Sequence, residues 1–523
     1  MGLGGNELQK AENQTNFRNL IILKMEKTVD RSFFGHPMGL STLFATEFWE
    51  RFSYYGMRAI LTLFLTAQLV DGGFGYTDDQ ALALYGIFTA LVYVTPIIGG
   101  ILADKVLGQR KTIYIGGIAM AIGQFILAYS AMHGNDPTAH HQFMFNLGLA
   151  VLILGNGFFK PNISTMVGSL YDANDDRRDG AFTLFYMGIN AGAFFAPLVA
   201  GALAEGIAWY YGFLSAGVGM LIGTLWFYFR AETLGNVGLP PKAPKEALRI
   251  AASDWKDIIL YVAGTVLLAI GVMLGWAALP EIGQDILVYT VGGGGILYLL
   301  FTVFKNTEGK TEWSRVGVIF LLTIFNIVFW SGFEQAGGTF NLFARDMTER
   351  SLFGMEIPAS AFQAINAIAI FIFAPVFTVI WDKLSRAKAN PRTPVKFAIG
   401  LFLLSAGFFV MALADEATGG GLNKVSPLWL VMVYLLHTWG ELCLSPIGLS
   451  MITKLSPPKI VSVMMGLWMG SIALGNFLAA SMKSIVENFD IPLFYFIGAE
   501  AAIAGVILLV LSPFMIKMMK GIH

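Results

Sequence analysis

Fourteen apolar runs, each long enough to cross a lipid bilayer, dominate this chain of 523 residues. They fall near 40–70, 79–103, 112–132, 143–169, 182–204, 208–229, 257–279, 286–304, 316–344, 360–381, 396–414, 427–452, 460–482 and 491–516. A span needs about 20 largely apolar residues. In hydrocarbon the backbone must satisfy its own N–H and C=O groups, so runs of this length must be helices. Composition agrees: mean hydropathy is +0.64 and only 13% of residues are charged, against about 25% in soluble domains. The expected fold is an all-α polytopic membrane protein whose core is the helix bundle itself. A net charge of −1 provides no field to attract nucleic acid. The single cysteine, Cys443, rules out an intrachain disulfide and a multi-cysteine metal site. No H-E-x-x-H or G-x-S-x-G motif points to a membrane enzyme. Residues 1–37 hold no long apolar stretch, so a cleavable signal is not expected and the first span would start insertion.

Basic residues alternate between the connections. Most of the Lys and Arg lie in the two tails and in every second loop, including 105–111, 230–256 and 383–396, whereas the other loops hold Arg345, Arg350 and Lys424. The positive-inside rule then places both termini and the 230–256 linker in the cytoplasm of a plasma-membrane protein, a bacterial inner membrane being expected. The chain also repeats itself. T-P-I-I-G-G-I-L-A-D-K-V-L-G-Q-R-K (95–111) and A-P-V-F-T-V-I-W-D-K-L-S-R-A-K (374–388) share a proline, then Asp-Lys, then basic residues. With spans 7 and 8 taken as an insertion, these segments close the second helix of two six-helix halves. The expected division is a tail 1–37, a first bundle 38–230, a linker with two inserted helices 231–312, a second bundle 313–516 and a tail 517–523. Such a repeat is typical of transporters that rock around a central site. The first loop resembles the loop signature of the major facilitator superfamily, which makes Asp104 and Arg110 candidate gating-loop residues.

Charges inside the apolar helices narrow the function. The first span reads T-E-F-W-E-R-F-S-Y-Y-G-M-R-A-I-L and carries Glu47, Glu50, Arg51 and Arg58. At about 100° per residue these charges, with Tyr54, share one stripe. A charge near the bilayer centre costs about 2.5–3.5 kcal/mol on the insertion scale, so the four must face one another, a cavity or a ligand. The other ionisable residues read as intramembrane are Lys160, Glu334 and Glu441, with amides at Asn156, Asn162, Asn190, Asn366, Gln335 and Gln363. Lys160 belongs to the first half and Glu441 to the second, and a salt bridge between them would tie the halves together. Aromatic residues accompany these charges: Tyr54, Tyr55, Tyr93, Trp330, Trp439 and Trp468. Aromatic walls with opposite charges suit an amphoteric ligand with variable apolar parts. His437 reads as a core histidine, and His140-His141 is weak evidence for a metal.

At these residues a family resemblance becomes specific. E-F-W-E-R-F-S-Y-Y-G-M-R (47–58) resembles the E-x-x-E-R-F-x-Y-Y-G-x-R signature of the proton-dependent oligopeptide transporter family. G-N-G-F-F-K-P-N-I-S (155–164), F-T-L-F-Y-M-G-I-N-A-G-A (182–193) and G-E-L-C-L-S-P-I-G-L-S (440–450) are similar to its other motifs. The resemblance implies a major facilitator fold with two six-helix bundles and two inserted helices, working as a monomer. It implies symport of di- and tripeptides, and of peptide-like drugs, with protons as the coupling ion and no other cofactor. Carried over by motif, Arg58 and Lys160 would bind the peptide carboxylate, and Asn190, Asn366 and Glu441 its amino group. Tyr54, Tyr93 and Trp468 would line side-chain pockets, with Tyr55, Trp330 and Ser445 in the same substrate-binding set. Glu47, Glu50, Arg51 and Glu334 would couple to the proton. Relatives often carry an acidic pair or Asp-Gln-Gln where this chain reads F-E-Q-A-G, so either Glu334 or Gln335 holds the proton-linked position. Some members of such a family carry nitrate or another small solute instead. Glu441 and the complete E-x-x-E-R favour peptide.

Overall fold

The computed structural model describes residues 32–96, 99–100, 103, 107–172, 175, 177–239, 271, 297, 300–352, 354–487, 489 and 491–522. The first half folds as α1 (Met38–Thr66), α2 (Asp78–Val94), α3 (Gln109–Ala131), α4 (Ala139–Ser169), α5 (Arg177–Gly206) and α6 (Trp209–Phe229). The second half folds as α7 (Gly309–Phe333), α8 (Thr339–Asp346), α9 (Ala364–Arg386), α10 (Thr393–Ala417), α11 (Leu428–Leu455), α12 (Val461–Glu487) and α13 (Leu493–Met518). Strands β1 (Ser351–Leu352) and β2 (Met355–Glu356) pair as a small antiparallel hairpin between α8 and α9. Helices occupy twelve of the fourteen expected spans. The inserted spans 257–279 and 286–304 lie almost wholly outside the described residues, as does Asp104.

Ten stretches among the described residues are long and apolar enough to cross a membrane. The first span carries four charges within α1, and α2 has 17 residues as bounded. The chain is therefore a multi-pass membrane protein. Span 9 departs from expectation. It is one crossing, yet α7 stops at Phe333, Glu334–Gly337 form a short 3-10 turn, and α8 resumes at Thr339. Broken helices of this kind put backbone polar groups at membrane depth where they line a site.

Small residues set the helix spacing. In α3 and α4, Gly116 faces Gly155 and Gly123 faces Gly148. A Cβ on any of the four would lie 2.6–3.0 Å from the partner glycine's carbonyl oxygen. Each pair repeats after seven residues, two helical turns, so the backbones touch along one seam. Two hydrophobic cores result, one built from residues between Leu40 and Leu234 and one chiefly from residues between Val303 and Met519.

Bonds between the halves gather at mid-membrane and on the face carrying the hairpin. Thr62 donates to the Gly337 carbonyl at 2.9 Å, Asn341 to the Ala59 carbonyl at 2.7 Å, and Arg345 to Thr66. Lys483 at the end of α12 pairs with Asp78 and Asp79 at the start of α2, at 3.1 and 3.5 Å. Glu205 at the end of α5 accepts from the backbone N–H groups of Ala359 and Ser360 at 2.7 and 3.1 Å and from the Ser360 hydroxyl at 2.7 Å. The hairpin face is thus closed by contacts between the bundles.

Candidate functional site

Arg58, three turns into α1 from its charged start, reaches across to the break in span 9. Its guanidinium forms an ion pair with Glu334, and its Nε donates to the Tyr85 hydroxyl at 2.7 Å. Arg58 and Glu334 are 7% and 2% exposed, so water screens the pair little. Gly337 makes this possible. A Cβ there would lie 1.9 Å from the Tyr85 hydroxyl, so only glycine lets Tyr85 approach the broken helix. The neighbouring amide faces elsewhere: Gln335 donates to the Ala479 carbonyl at 2.8 Å and accepts from Thr339. Between the two sequence candidates, Glu334 is therefore the one in the charged site.

The remaining charges of α1 form a separate network inside the first bundle. Arg51 pairs with Glu50, and with Glu47 at 3.2 Å. Asn156 of α4 donates to Glu50 at 3.1 Å. All four side chains are at most 3% exposed. One Glu47 oxygen has no hydrogen-bond partner. The Arg51 guanidinium lies 5.4 and 5.8 Å from the ring centres of Tyr54 and Tyr55, and Tyr55 is equally close to Arg58. Tyr55 therefore stands between the two charged groups.

A narrow cavity, with about 40 Å³ of room for the centres of water-sized molecules, lies between the halves. Its lining includes Tyr55, Arg58, Ala193 and Pro197 from the first half, and Phe333, Gln363, Asn366, Tyr434 and His437 from the second. On the second-half side the Asn366 amide donates to Thr438 and to Glu441, both at 3.0 Å. A cation thus stands on one wall, and on the other an amide that is bonded to a carboxylate.

Several expected site residues lie elsewhere. The Lys160–Glu441 bridge is not formed in this conformation. Lys160 Nζ sits 4.6 Å from the Tyr93 ring centre, with the α1 network and Glu334 as charged neighbours, while Glu441 is held by Asn366. A buried charge bridge across the halves is formed by Arg58 and Glu334 instead. Trp468 is 2% exposed, packed on Phe397 and over Gly448 in the second core, rather than lining the cavity. Tyr54 is buried against Phe88 and Tyr55. Asn190 turns back to the Tyr186 carbonyl at 2.9 Å, and Trp330 donates to Asn326 at 3.1 Å. The Ser445 hydroxyl is buried without a partner among the described residues. Arg110 binds the Val237 and Gly235 carbonyls, both at 2.6 Å, and so ties α3 to the segment after α6.

Other contributors were missed in the sequence. Tyr85 looks like one more aromatic on an apolar helix, and no local pattern shows that its hydroxyl meets Arg58. Glu205 and Lys483 sit at span ends, where charges are ordinary. Glu500, a carboxylate eight residues into an apolar helix, lies outside this site.

The chain is similar to known proteins over most of its length. The POT family model matches residues 110–498. The chain is 41% identical over 487 residues to "Peptide transporter YePEPT" of Yersinia enterocolitica subsp. palearctica, covering 91% of this chain and 93% of that one. It is 34% identical over 506 residues to "Di-/tripeptide transporter" of Lactococcus lactis subsp. cremoris, covering 94% and 99%. Among solved structures, a peptide transporter POT in complex with sulfate superposes with a TM-score of 0.82 at 37% identity, over 94% of this chain and 98% of that one. With its two bundles, broken span 9 and E-x-x-E-R stripe on α1, the chain belongs to the POT family.

Proposed function

We propose that this protein imports di- and tripeptides together with protons by alternating access, as a monomer in a bacterial inner membrane with both termini in the cytoplasm. The observation that carries the reading is the Arg58–Glu334 pair at a cavity whose other wall holds Asn366, itself hydrogen-bonded to Glu441. A short peptide has one carboxylate and one ammonium. Arg58 complements the first, and the Asn366–Glu441 pair the second. The size limit follows from the need to satisfy both ends at once. Peptide-like drugs that keep these two groups fit the same site, and a mutant of peptide transporter POT has been solved in complex with alafosfalin.

Coupling arises because Arg58 has two possible anions. When a peptide carboxylate takes Arg58, Glu334 loses its cation, and a buried carboxylate without a partner is more stable protonated. Protonation removes the buried one of the ion pairs that join the halves, and so favours opening of the hairpin face. When the peptide leaves, Arg58 returns to Glu334 and the proton is expelled. Each ligand thus alters the affinity for the other through one shared cation. With the termini in the cytoplasm, the hairpin face is external, and the conformation described here is closed to the outside. Lys160 stands near the α1 network and serves as a second cation for the carboxylate. Glu47, Glu50 and Arg51 form the proton-linked group behind it.

The test is uptake of a labelled dipeptide into proteoliposomes under an inward proton gradient. Lys160→Ala and Glu441→Ala should each abolish gradient-driven uptake while the protein still inserts. Normal acid-driven uptake by both would sink the reading. Nitrate as an effective competitor, with dipeptides inert, would favour the small-solute alternative.

A further inference from the structure

Four carboxylates within the spans have partners: Glu47 and Glu50 with Arg51, Glu334 with Arg58, and Glu441 with Asn366. Glu500 on α13 has no hydrogen-bond or ion-pair partner among the described residues. It lies in an apolar groove between α7 and α13, whose walls include Ile324 and Val328 on one side and Phe496, Ile503, Ala504 and Ile507 on the other. Ile324, Ile503 and Ile507 are 55%, 59% and 47% exposed, so the groove faces outward, away from the cavity between the halves.

The geometry points to a binding site for an aminophospholipid, with its ammonium on Glu500 and an acyl chain in the groove. Glu500 is seven residues past the start of α13 at Leu493, about 10 Å along the axis. Side chains on a helix lean toward its N-terminus, which carries the carboxylate back toward the hairpin face and the headgroup zone. From Phe496 to Ile507 the groove runs eleven residues, about 17 Å. Half of a hydrocarbon core about 30 Å thick is about 15 Å, so the groove matches one leaflet. The charge selects the headgroup. A lone acceptor in an apolar setting needs donors. A primary ammonium offers three N–H groups, and a quaternary choline offers none. Val328 in one wall lies less than two turns from Glu334 along span 9, so a lipid seated here braces the helix that carries the bridge.

The test uses the full-length protein in nanodiscs holding equal amounts of phosphatidylethanolamine and phosphatidylcholine with identical chains. Retained lipid is read by native mass spectrometry. The wild type should retain the ethanolamine lipid about tenfold over the choline lipid, with N-monomethyl and N,N-dimethyl lipids falling in order between them. Glu500→Gln should bring the ratio near one, and Ile503→Trp should reduce retention of both lipids. Equal retention by the wild type would overturn the proposal, as would a Glu500→Gln protein that keeps the preference. Binding of dodecylamine without the ethanolamine lipid would also overturn it, by showing a site for free amphiphilic amines. Retention of neither lipid would overturn it as well. The methylation series needs no variant, so a misfolded mutant leaves the test intact.

Discussion

Replacing Glu334 with Gln should open the hairpin face. Arg58 and Glu334 are 7% and 2% exposed, and removing one member of such a buried pair costs about 3–5 kcal/mol, because the other charge is left uncompensated. Gln keeps one acceptor and Tyr85 still holds Arg58, which argues for the lower end, about 3 kcal/mol. At about 1.4 kcal/mol per tenfold, the ratio of closed to open hairpin face should fall about 100-fold. Distances between spin labels can read this. Val70, in the α1–α2 connection, and Leu422, in the α10–α11 connection, are 85% and 86% exposed and belong to opposite halves. Cysteines there, with the buried Cys443 changed to Ser, report the gap by electron–electron resonance. The wild type should be mostly at the short distance near neutral pH and shift to the long one on acidification, since protonating the carboxyl breaks the same bridge. Glu334→Gln should sit at the long distance at every pH. The double variant Arg58→Gln with Glu334→Gln should cost less than the two single changes summed, since neither charge is left alone. A Glu334→Gln protein with wild-type distances and an unchanged pH response would refute the argument that this pair closes the face.

Three further outcomes follow from particular contacts. A Cβ on Gly86 of α2 would lie 2.2 Å from the Ala480 Cβ of α12, so Gly86→Leu should hold the halves apart on the hairpin face, and the same label pair should show only the long distance. Trp468→Ala should lower stability by about 3–5 kcal/mol, as large-to-small changes in a packed core do, and leave the ranking of competing dipeptides unchanged; altered peptide preference without lost thermal stability would restore Trp468 to the substrate site. Arg177 donates two side-chain hydrogen bonds to Asp175 in the α4–α5 connection and holds its carboxyl down at about 2. A lowered value stabilises the fold above the unfolded value near 3.8 and loses that effect as pH falls through 2. Asp175→Asn should therefore lower the melting temperature at pH 5–7, and the gap to wild type should close progressively below pH 4.

Much of this protein was legible without coordinates because the bilayer makes structure local. Hydrophobic length specifies where helices fall, and the 3.6-residue period puts Glu47, Glu50, Arg51 and Arg58 on one face of α1. The composition of that stripe identified the charged site. Buried partners were harder. Lys160 and Glu441 are complementary in sign and lie in opposite halves, yet they do not meet here, while Arg58 finds a partner 276 residues away. No period within one helix carries that information. It depends on how each helix is rotated and on which face of the two bundles is closed. The break after Phe333 is of the same kind: span 9 is hydrophobic enough to read as one continuous crossing despite Glu334 and Gln335, and only the approach of Tyr85 over Gly337 gives the interruption a purpose. The choice between Glu334 and Gln335, adjacent residues about 100° apart around a helix, was likewise decided by packing. The sequence by itself determined the membrane spans, the charged stripe and the family, because these depend on residue type and short-range spacing. Tertiary structure alone decided which charges pair, because pairing depends on how helices from the two halves are brought together and turned toward one another.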